Sequence, residues 1–233
     1  MLILEKNADM GPPGNNLLLQ SAGKIDGRCS PPLFPAVVLA GGRARRMGGG
    51  DKPLLLLGGR TLLAHVLARI APQVGAVAVS ANGDAARFGA FGLPVLADER
   101  ADFAGPLCGV LAGLRWAARG FPATTHVLSV PGDTPFLPDD LVVRLAAALD
   151  DRAGGIVCAE SGGRLHPTVA LWPVQAADRL AAAIAAGERR VLDFARAQGL
   201  KVAAFPTDAD DPLFNVNTPA DLAMAEAILR RRR

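Results

Sequence analysis

The chain has 233 residues, a formal net charge of +3 and 50% hydrophobic residues. That length suits one α/β domain or two small ones, and the apolar content excludes disorder of the whole chain. No apolar run reaches the roughly 18 residues that span a membrane, and so small a charge gives only weak reason to expect a polyanionic partner. Three cysteines, Cys29, Cys108 and Cys158, stand far apart without a C-x-x-C. They suggest neither a zinc site nor a disulfide framework, and fit a reducing cytoplasm.

Residues 1–33, which include MLILEKNADMGPPGNN and GRCSPP, read as a flexible N-terminal tail or an over-extended start, with Met10 as a second candidate beginning. The Leu17–Leu19 run is too short for a signal-peptide core. Strands and helices then alternate. FPAVVL (34–39) is a nearly continuous apolar run, as a buried parallel strand requires. TLLAHVLARI (61–70) repeats Leu63, Leu67 and Ile70 on one helical face. GAVAVS (75–80) and GLPVLA (92–97) read as strands and PLCGVLAGLRWAAR (106–119) as a helix. THVLSV (125–130) reads as a buried strand, and DDLVVRLAAAL (139–149) as a helix with an acidic first turn. This order implies an α/β fold with a doubly wound, mostly parallel sheet.

The pattern changes after residue 150. GIVCA (155–159) and RLHPTVAL (164–171) flank ESGG (160–163), a hairpin turn that puts one antiparallel strand at the sheet edge. Helices are expected near 174–186, 189–198 and 218–231, with the strand KVAAF (201–205) before the last. Thr218 suits the cap of that helix, Pro219 its first position and Asp221 its third, as in a capping box.

The stretch LAGGRARRMGGGDK (39–52) leaves the carboxyl end of the first strand, where open α/β sheets bind ligands. Gly41 and Gly42 let backbone N–H groups approach a phosphate closely. Arg43, Arg45, Arg46 and Lys52 supply positive charge. A hydrogen bond to a charged group contributes roughly 1.5–3 kcal/mol, so several converging donors outweigh the cost of ordering the loop. A disordered basic surface loop is the other reading, and local physics leaves both open. A Walker A loop is excluded because Lys52 follows Asp51 and precedes Pro53. The dinucleotide fingerprint fails as well, since Pro53 stands where the last glycine counted from Gly48 would be.

Read as L-A-G-G-x-A-x-R-M-G-x-x-D-K, residues 39–52 resemble the signature loop of nucleotidylyltransferases with a nucleotide-diphospho-sugar transferase fold. More narrowly they resemble the molybdenum cofactor guanylyltransferases. The resemblance runs over roughly residues 34–231, through Asp98, GPLCG (105–109), PGDTP (131–135), HPT (166–168), GERRV (187–191) and FNVNTP (214–219). It implies a single, Rossmann-like nucleotidylyltransferase domain over 34–233. The implied reaction moves GMP from GTP to the terminal phosphate of molybdenum-bearing molybdopterin, with Mg²⁺ as cofactor and pyrophosphate as leaving group. Molybdenum-insertion proteins and molybdoenzyme chaperones are the further partners it suggests.

On the family pattern Lys52, Arg46 and Asp133 are the catalytic residues. Leu39, Ala40, Gly41, Gly42, Lys52, Ser80, Asn82, Asp98 and Asp133 contact the nucleotide, and Asp133 holds the metal. A lone aspartate suffices, because Mg²⁺ takes one or two carboxylates, phosphate oxygens and water. From local pattern alone, Asp133 reads equally as an Asx-turn residue, and Asp98 as the partner of Arg100. Ser80 departs from the family's N-A-N, since a hydroxyl lacks an amide's paired donor and acceptor; Asn82 is expected to share its role. Asn215, Asn217 and His166 are assigned to the pterin, against local turn formation for the asparagines and simple strand packing for His166. Arg189 and Arg190 either meet the pterin phosphate or begin a helix. His65 and His126 read as structural, and Trp116 and Trp172 as packing.

No strong general base is required, because a phosphate monoester with a second pKa near about 6 is already anionic at neutral pH. The rival readings are a molybdopterin cytidylyltransferase, whose loop tends to L-A-A-G, a sugar-phosphate nucleotidylyltransferase, and a non-catalytic nucleotide-binding module. A nucleic-acid binder is disfavoured: two tryptophans and no tyrosine leave few stacking platforms.

Overall fold

A computed structural model describes residues 33–41, 51–97, 105–149, 155–207 and 210–232. All of them belong to one unit, Pro31–Arg233. Their centre is a seven-stranded sheet built from β1 (Pro35–Leu39), β4 (Ala76–Ser80), β5 (Val95–Leu96), β6 (His126–Pro131), β7 (Val157–Ser161), β8 (Arg164–Pro173) and β9 (Lys201–Phe205), in the order β5-β4-β1-β6-β8-β7-β9. β1 pairs in parallel with both β4 and β6. β4 pairs in parallel with β5, and β7 with β9. β8 is antiparallel to both of its neighbours.

The mostly parallel α/β sheet is the one the alternating elements imply, but the reversed strand is not at its edge. β8 lies between β6 and β7. The reason is burial on both faces: Val169, Leu171 and, opposite them, Ala170 and Trp172 are all buried. A strand with two apolar faces is better satisfied inside a sheet, where both of its polar edges are paired. The edge goes instead to β9, whose Val202 and Ala204 face solvent.

Alternation of side chains divides the core into two layers. Ala36 and Val38, Leu128 and Val130, Val157 and Ala159 point to the face covered by α1 (Leu62–Ile70) and α3 (Leu141–Ala147). Val37, Val127, Cys158 and Trp172 point to the other, covered by α2 (Pro106–Gly120), α4 (Ala177–Ala185) and α5 (Val191–Ala197). Each large apolar side chain so buried contributes about 1.5–3 kcal/mol. α2 lies unusually close to the sheet. A Cβ at Gly113 would fall 2.6 Å from Val37 Cγ1, and one at Gly109 would fall 2.6 Å from Ser80 Oγ.

A third cluster closes one end. The hairpin of β2 (Leu56–Leu57) and β3 (Arg60–Thr61), which local pattern did not indicate, turns on Gly58 and Gly59 at φ 56° and 81°. Leu57, Leu62 and Phe136 pack there with Val216, Ala225 and Ile228, and the Gly58 N–H donates to Glu226 at 2.8 Å. α6 (Pro219–Arg231) starts with the expected capping box between Thr218 and Asp221, which fixes the segment just before it. No described helix is long and apolar enough to cross a membrane.

Candidate active site

Three parallel strands end side by side. Leu39 of β1 is in register with Ser80 of β4 and with Pro131 of β6. The ends are stitched together: Ala40 N–H donates to Ser80 O at 2.8 Å, and Gly132 N–H to Leu39 O at 3.0 Å. Ala40 and Ser80 are buried, while Gly41 is exposed and a Cβ there would meet nothing within 4 Å. The turn after β6 then delivers Asp133. Gly132 makes this possible, since a Cβ would crowd Pro53 Cβ and Cγ at 3.1 Å. Pro53 is buried in the short 3-10 turn Lys52–Leu54, so the close approach brings Lys52 onto Asp133.

Lys52 Nζ pairs with Asp133 Oδ2, both side chains being only 12% exposed. It also donates to Asn217 Oδ1 at 2.6 Å. Asn217 is held by the α6 cap, its N–H donating to Asp221 at 2.9 Å. Val216 N–H donates to Asp133 O at 3.0 Å, so the 215–217 segment and the Asp133 turn form one unit. Two oxygens in this corner, Asp133 Oδ1 and Asn215 Oδ1, are buried with no hydrogen-bond partner among the described residues. Burial raises the Asp133 pKa; Lys52, foremost among the opposing influences, and the Asn215 side chain pull it down without cancelling the shift. A buried acidic group with an orphaned oxygen beside an ammonium is arranged for a hard cation and for phosphate.

Further along the same sheet end, His166 of β8 lies 2.8 Å through Nε2 from Ser161 Oγ, which donates to Asp211 Oδ1 at 2.8 Å. His166 is half-buried and its pKa is lowered, first by burial.

Residues 36–202 match the model of the MobA-like NTP transferase domain. The chain belongs to that family of nucleotidyltransferases. It is 52% identical over 201 residues to the molybdenum cofactor guanylyltransferase of Rhodopseudomonas palustris strain BisB5, a match covering 86% of this chain and 96% of the relative. Among solved structures, the fold is similar to molybdopterin-guanine dinucleotide biosynthesis protein A from Archaeoglobus fulgidus, with TM-score 0.68, 23% identity, and 85% and 100% of the two chains covered. It is also similar to the Rv0371C protein of Mycobacterium tuberculosis, solved in complex with manganese, with TM-score 0.59, 19% identity, and 84% and 98% covered.

In this MobA-like transferase the structure brings together Leu39, Ala40, Gly41, Lys52, Ser80, Asp133, Asn215 and Asn217. Gly42, Arg43, Arg45, Arg46 and Asp98 lie outside the described residues. The Ser80 hydroxyl sits against α2 at Gly109, where a longer side chain in that rotamer has no room. Asn82 is exposed; its carbonyl accepts from Arg87. Arg87 is the residue that sequence reasoning missed. Its Nε stands 2.8 Å from Asp51 Oδ2, so Asp51 is tied to the segment after β4 while its neighbour Lys52 is tied to Asp133. An isolated arginine in NGDAARF offered no pattern to find it by.

The other candidates have local partners. His65 Nε2 is 2.8 Å from Leu57 O, and His126 Nδ1 is 3.0 Å from Thr125 Oγ1, its ring edge-on to Phe34. Trp172 is a core residue, and Trp116 packs edge-on against Phe121. Arg189 donates to Ile184 O at the end of α4 at 3.1 Å, and Arg190 pairs with Asp193 at 3.5 Å.

Proposed function

We propose that this chain transfers GMP from GTP to the terminal phosphate of molybdenum-bearing molybdopterin, releasing pyrophosphate. The observation that carries the reading is the corner of Lys52, Asp133 and Asn217 at the carboxyl ends of β1, β4 and β6. Relatives at about half identity over most of the chain bear the guanylyltransferase name, and Leu39–Gly42 is L-A-G-G.

The corner fits a divalent cation. Asp133 Oδ1 and Asn215 Oδ1, which have no partner among the described residues, are the oxygens that would hold it, and hard oxygen ligands suit Mg²⁺. When bound, Mg²⁺ supplies charge neutralisation at the triphosphate.

The protein's own groups do the rest. Asp133 keeps Lys52 at the site through Oδ2, and Asn217 aims it. The backbone at Ala40 and Gly41 offers an open approach for the nucleotide, with Leu39 and Ser80 walling the base side. Arg46 and Gly42 serve the phosphates and Asp98 the nucleotide on the family resemblance alone. Asn217 and His166 are assigned to the acceptor on the family resemblance. Attack needs no base, because the acceptor phosphate is already anionic. The work is to hold two polyanions in line and screen repulsion of about 4 kcal/mol per unit-charge pair at ~4 Å and an effective ε of ~20. We assign this activity to the cytoplasm, in exchange with molybdenum-insertion proteins and molybdoenzyme chaperones.

Pyrophosphate release measured with GTP and CTP in competition, with and without the molybdopterin acceptor, tests the function. GTP preference and strict pterin dependence are expected. Equal use of both nucleotides, or release without pterin, overturns it.

A further inference from the structure

The hairpin β7–β8 carries a polar cluster that nucleotide binding does not use. Ser161, the last residue of β7, is 2% exposed and bonded on two sides. Its Oγ donates to Asp211 Oδ1 at 2.8 Å and lies 2.8 Å from His166 Nε2. The same Asp211 oxygen accepts the Leu213 N–H at 2.8 Å.

A hydroxyl has one proton. With that proton on a carboxylate, Ser161 Oγ can meet His166 only as an acceptor, so Nε2 carries the imidazole proton. In the neutral ring Nδ1 is then a lone-pair acceptor. Burial lowers the His166 pKa and Arg164 acts in the same direction, while Asp211 and Glu160 oppose them; the net shift favours the neutral ring. Nδ1 has no hydrogen-bond partner among the described residues.

The order of the groups excludes hydrolysis. In a Ser-His-Asp triad the histidine stands between the other two and takes the serine proton. Here the serine stands in the middle, buried, with its proton committed to the carboxylate.

The cluster shares the sheet end of the transfer site. β8 is antiparallel to β6, so the amino-terminal part of β8, His166 included, flanks the carboxyl end of β6. Asp211 opens the segment that reaches Asn215 and Asn217, and that segment bonds to Asp133 through Val216.

We propose that Ser161 and Asp211 are positioning residues for the acceptor: through His166 they fix an imidazole with Nε2 inward and Nδ1 presented to an N–H edge of the pterin. This rests on the pterin transfer proposed above. A lone-pair acceptor selects a donor edge and disfavours an anion, so His166 reads the ring system of the acceptor rather than its phosphate.

Nitrogen-15 labelling of the histidines in the full chain tests the relay, with the His166 signal assigned by its loss in His166→Gln. In the wild type, Nε2 bears an exchange-protected proton and Nδ1 is unprotonated. Ser161→Ala and Asp211→Ala each lose the protected proton, whereas Ser161→Thr keeps it. Both alanine variants raise KM for the pterin about 10-fold, the value of one hydrogen bond, with KM for GTP unchanged; a general folding defect would move both. A proton on Nδ1 in the wild type, or a protected Nε2 proton that survives Ser161→Ala, overturns the relay. A confirmed relay with pterin KM unchanged in both variants overturns its assignment to the acceptor. Failure of the wild type to use the pterin at all would sink the proposed function instead, with the resonance result still standing.

Discussion

Asp133→Asn keeps the shape of the side chain and removes its charge. In the wild type Oδ2 is paired with Lys52, Oδ1 is buried without a partner among the described residues, and the side chain is 12% exposed. Two unit charges ~4 Å apart interact by about 4 kcal/mol at an effective ε of ~20. Losing one such interaction with the cation that offsets the triphosphate lowers kcat by about 10³-fold. Stability moves the other way. Burial is the largest influence on Asp133 and raises its pKa against Lys52 and Asn215, so the folded-state value lies above the unfolded one. The ionised carboxylate therefore disfavours the folded state at neutral pH. That penalty shrinks as pH falls through the folded value and is gone below the unfolded one. Asparagine carries no such penalty. In urea with chelator present, Asp133→Asn is expected to unfold at a midpoint equal to or above wild type at about pH 7, with the difference closing near pH 4. Single-turnover pyrophosphate release with GTP and Mg²⁺ gives the rate. Near-wild-type turnover would refute the metal assignment, and a variant destabilised at neutral pH but not in acid would refute the electrostatic argument.

Lys52→Ala removes the donor shared by Asp133 and Asn217; kcat should fall about 10²–10³-fold in the same assay, and Lys52→Arg should not restore it, because a planar fork does not replace a compact ammonium between two oxygens. Ser129→Ala takes the acceptor from Trp172 Nε1–H, now bonded at 2.8 Å in a fully buried core; urea unfolding should show a loss of about 1–3 kcal/mol with kinetic constants unchanged. Gly113→Ala puts a Cβ 2.6 Å from Val37 Cγ1 and 2.8 Å from Val37 Cβ, so α2 must lift, and the same measurement should show about 1–3 kcal/mol lost. The Cys158 thiol is pushed up to about 11, by burial first and Glu160 second; mass spectrometry after mild alkylation at neutral pH should find it unmodified in the folded protein and modified after unfolding.

The parallel half of the sheet was legible because its strands are short, apolar on both faces and punctuated by glycine and proline. The cap of α6 was legible because Thr218, Pro219 and Asp221 each satisfy a different terminal requirement. The place of β8 was not, since strand order is a long-range property and RLHPTVAL says nothing about its neighbours. The β2–β3 hairpin carried a signal in Gly58-Gly59, a pair suited to positive φ, but its strands are too short to show alternation. In the site, the family resemblance pointed to Lys52 and to Asp133, although local pattern alone left Asp133 equally readable as an Asx-turn residue. Their direct pairing was not legible, because it depends on Gly132 letting Pro53 come close. Arg87 and the bond from Ser161 to Asp211 were equally hidden: each joins ordinary polar residues that only the fold makes neighbours.

On the proposed function, the reversed strand explains how one sheet end would serve two substrates. In an all-parallel sheet every chemically useful position follows a carboxyl end. Turning β8 around brings a strand's amino-terminal residues to that same end, so the hairpin of Ser161 and His166 joins the carboxyl ends of β1, β4 and β6. The segment from Asp211 to Asn217 then spans the two halves, bonded to Ser161 at one end and to Lys52 at the other. On the proposed function, one continuous stretch of chain thus bonds both to Lys52 on the nucleotide side and to Ser161 behind His166. In-line transfer between two mutually repelling phosphates demands fixed geometry, and on the proposed function the bonds from Val216 to Asp133 and from Lys52 to Asn217 are what hold this segment to the transfer site.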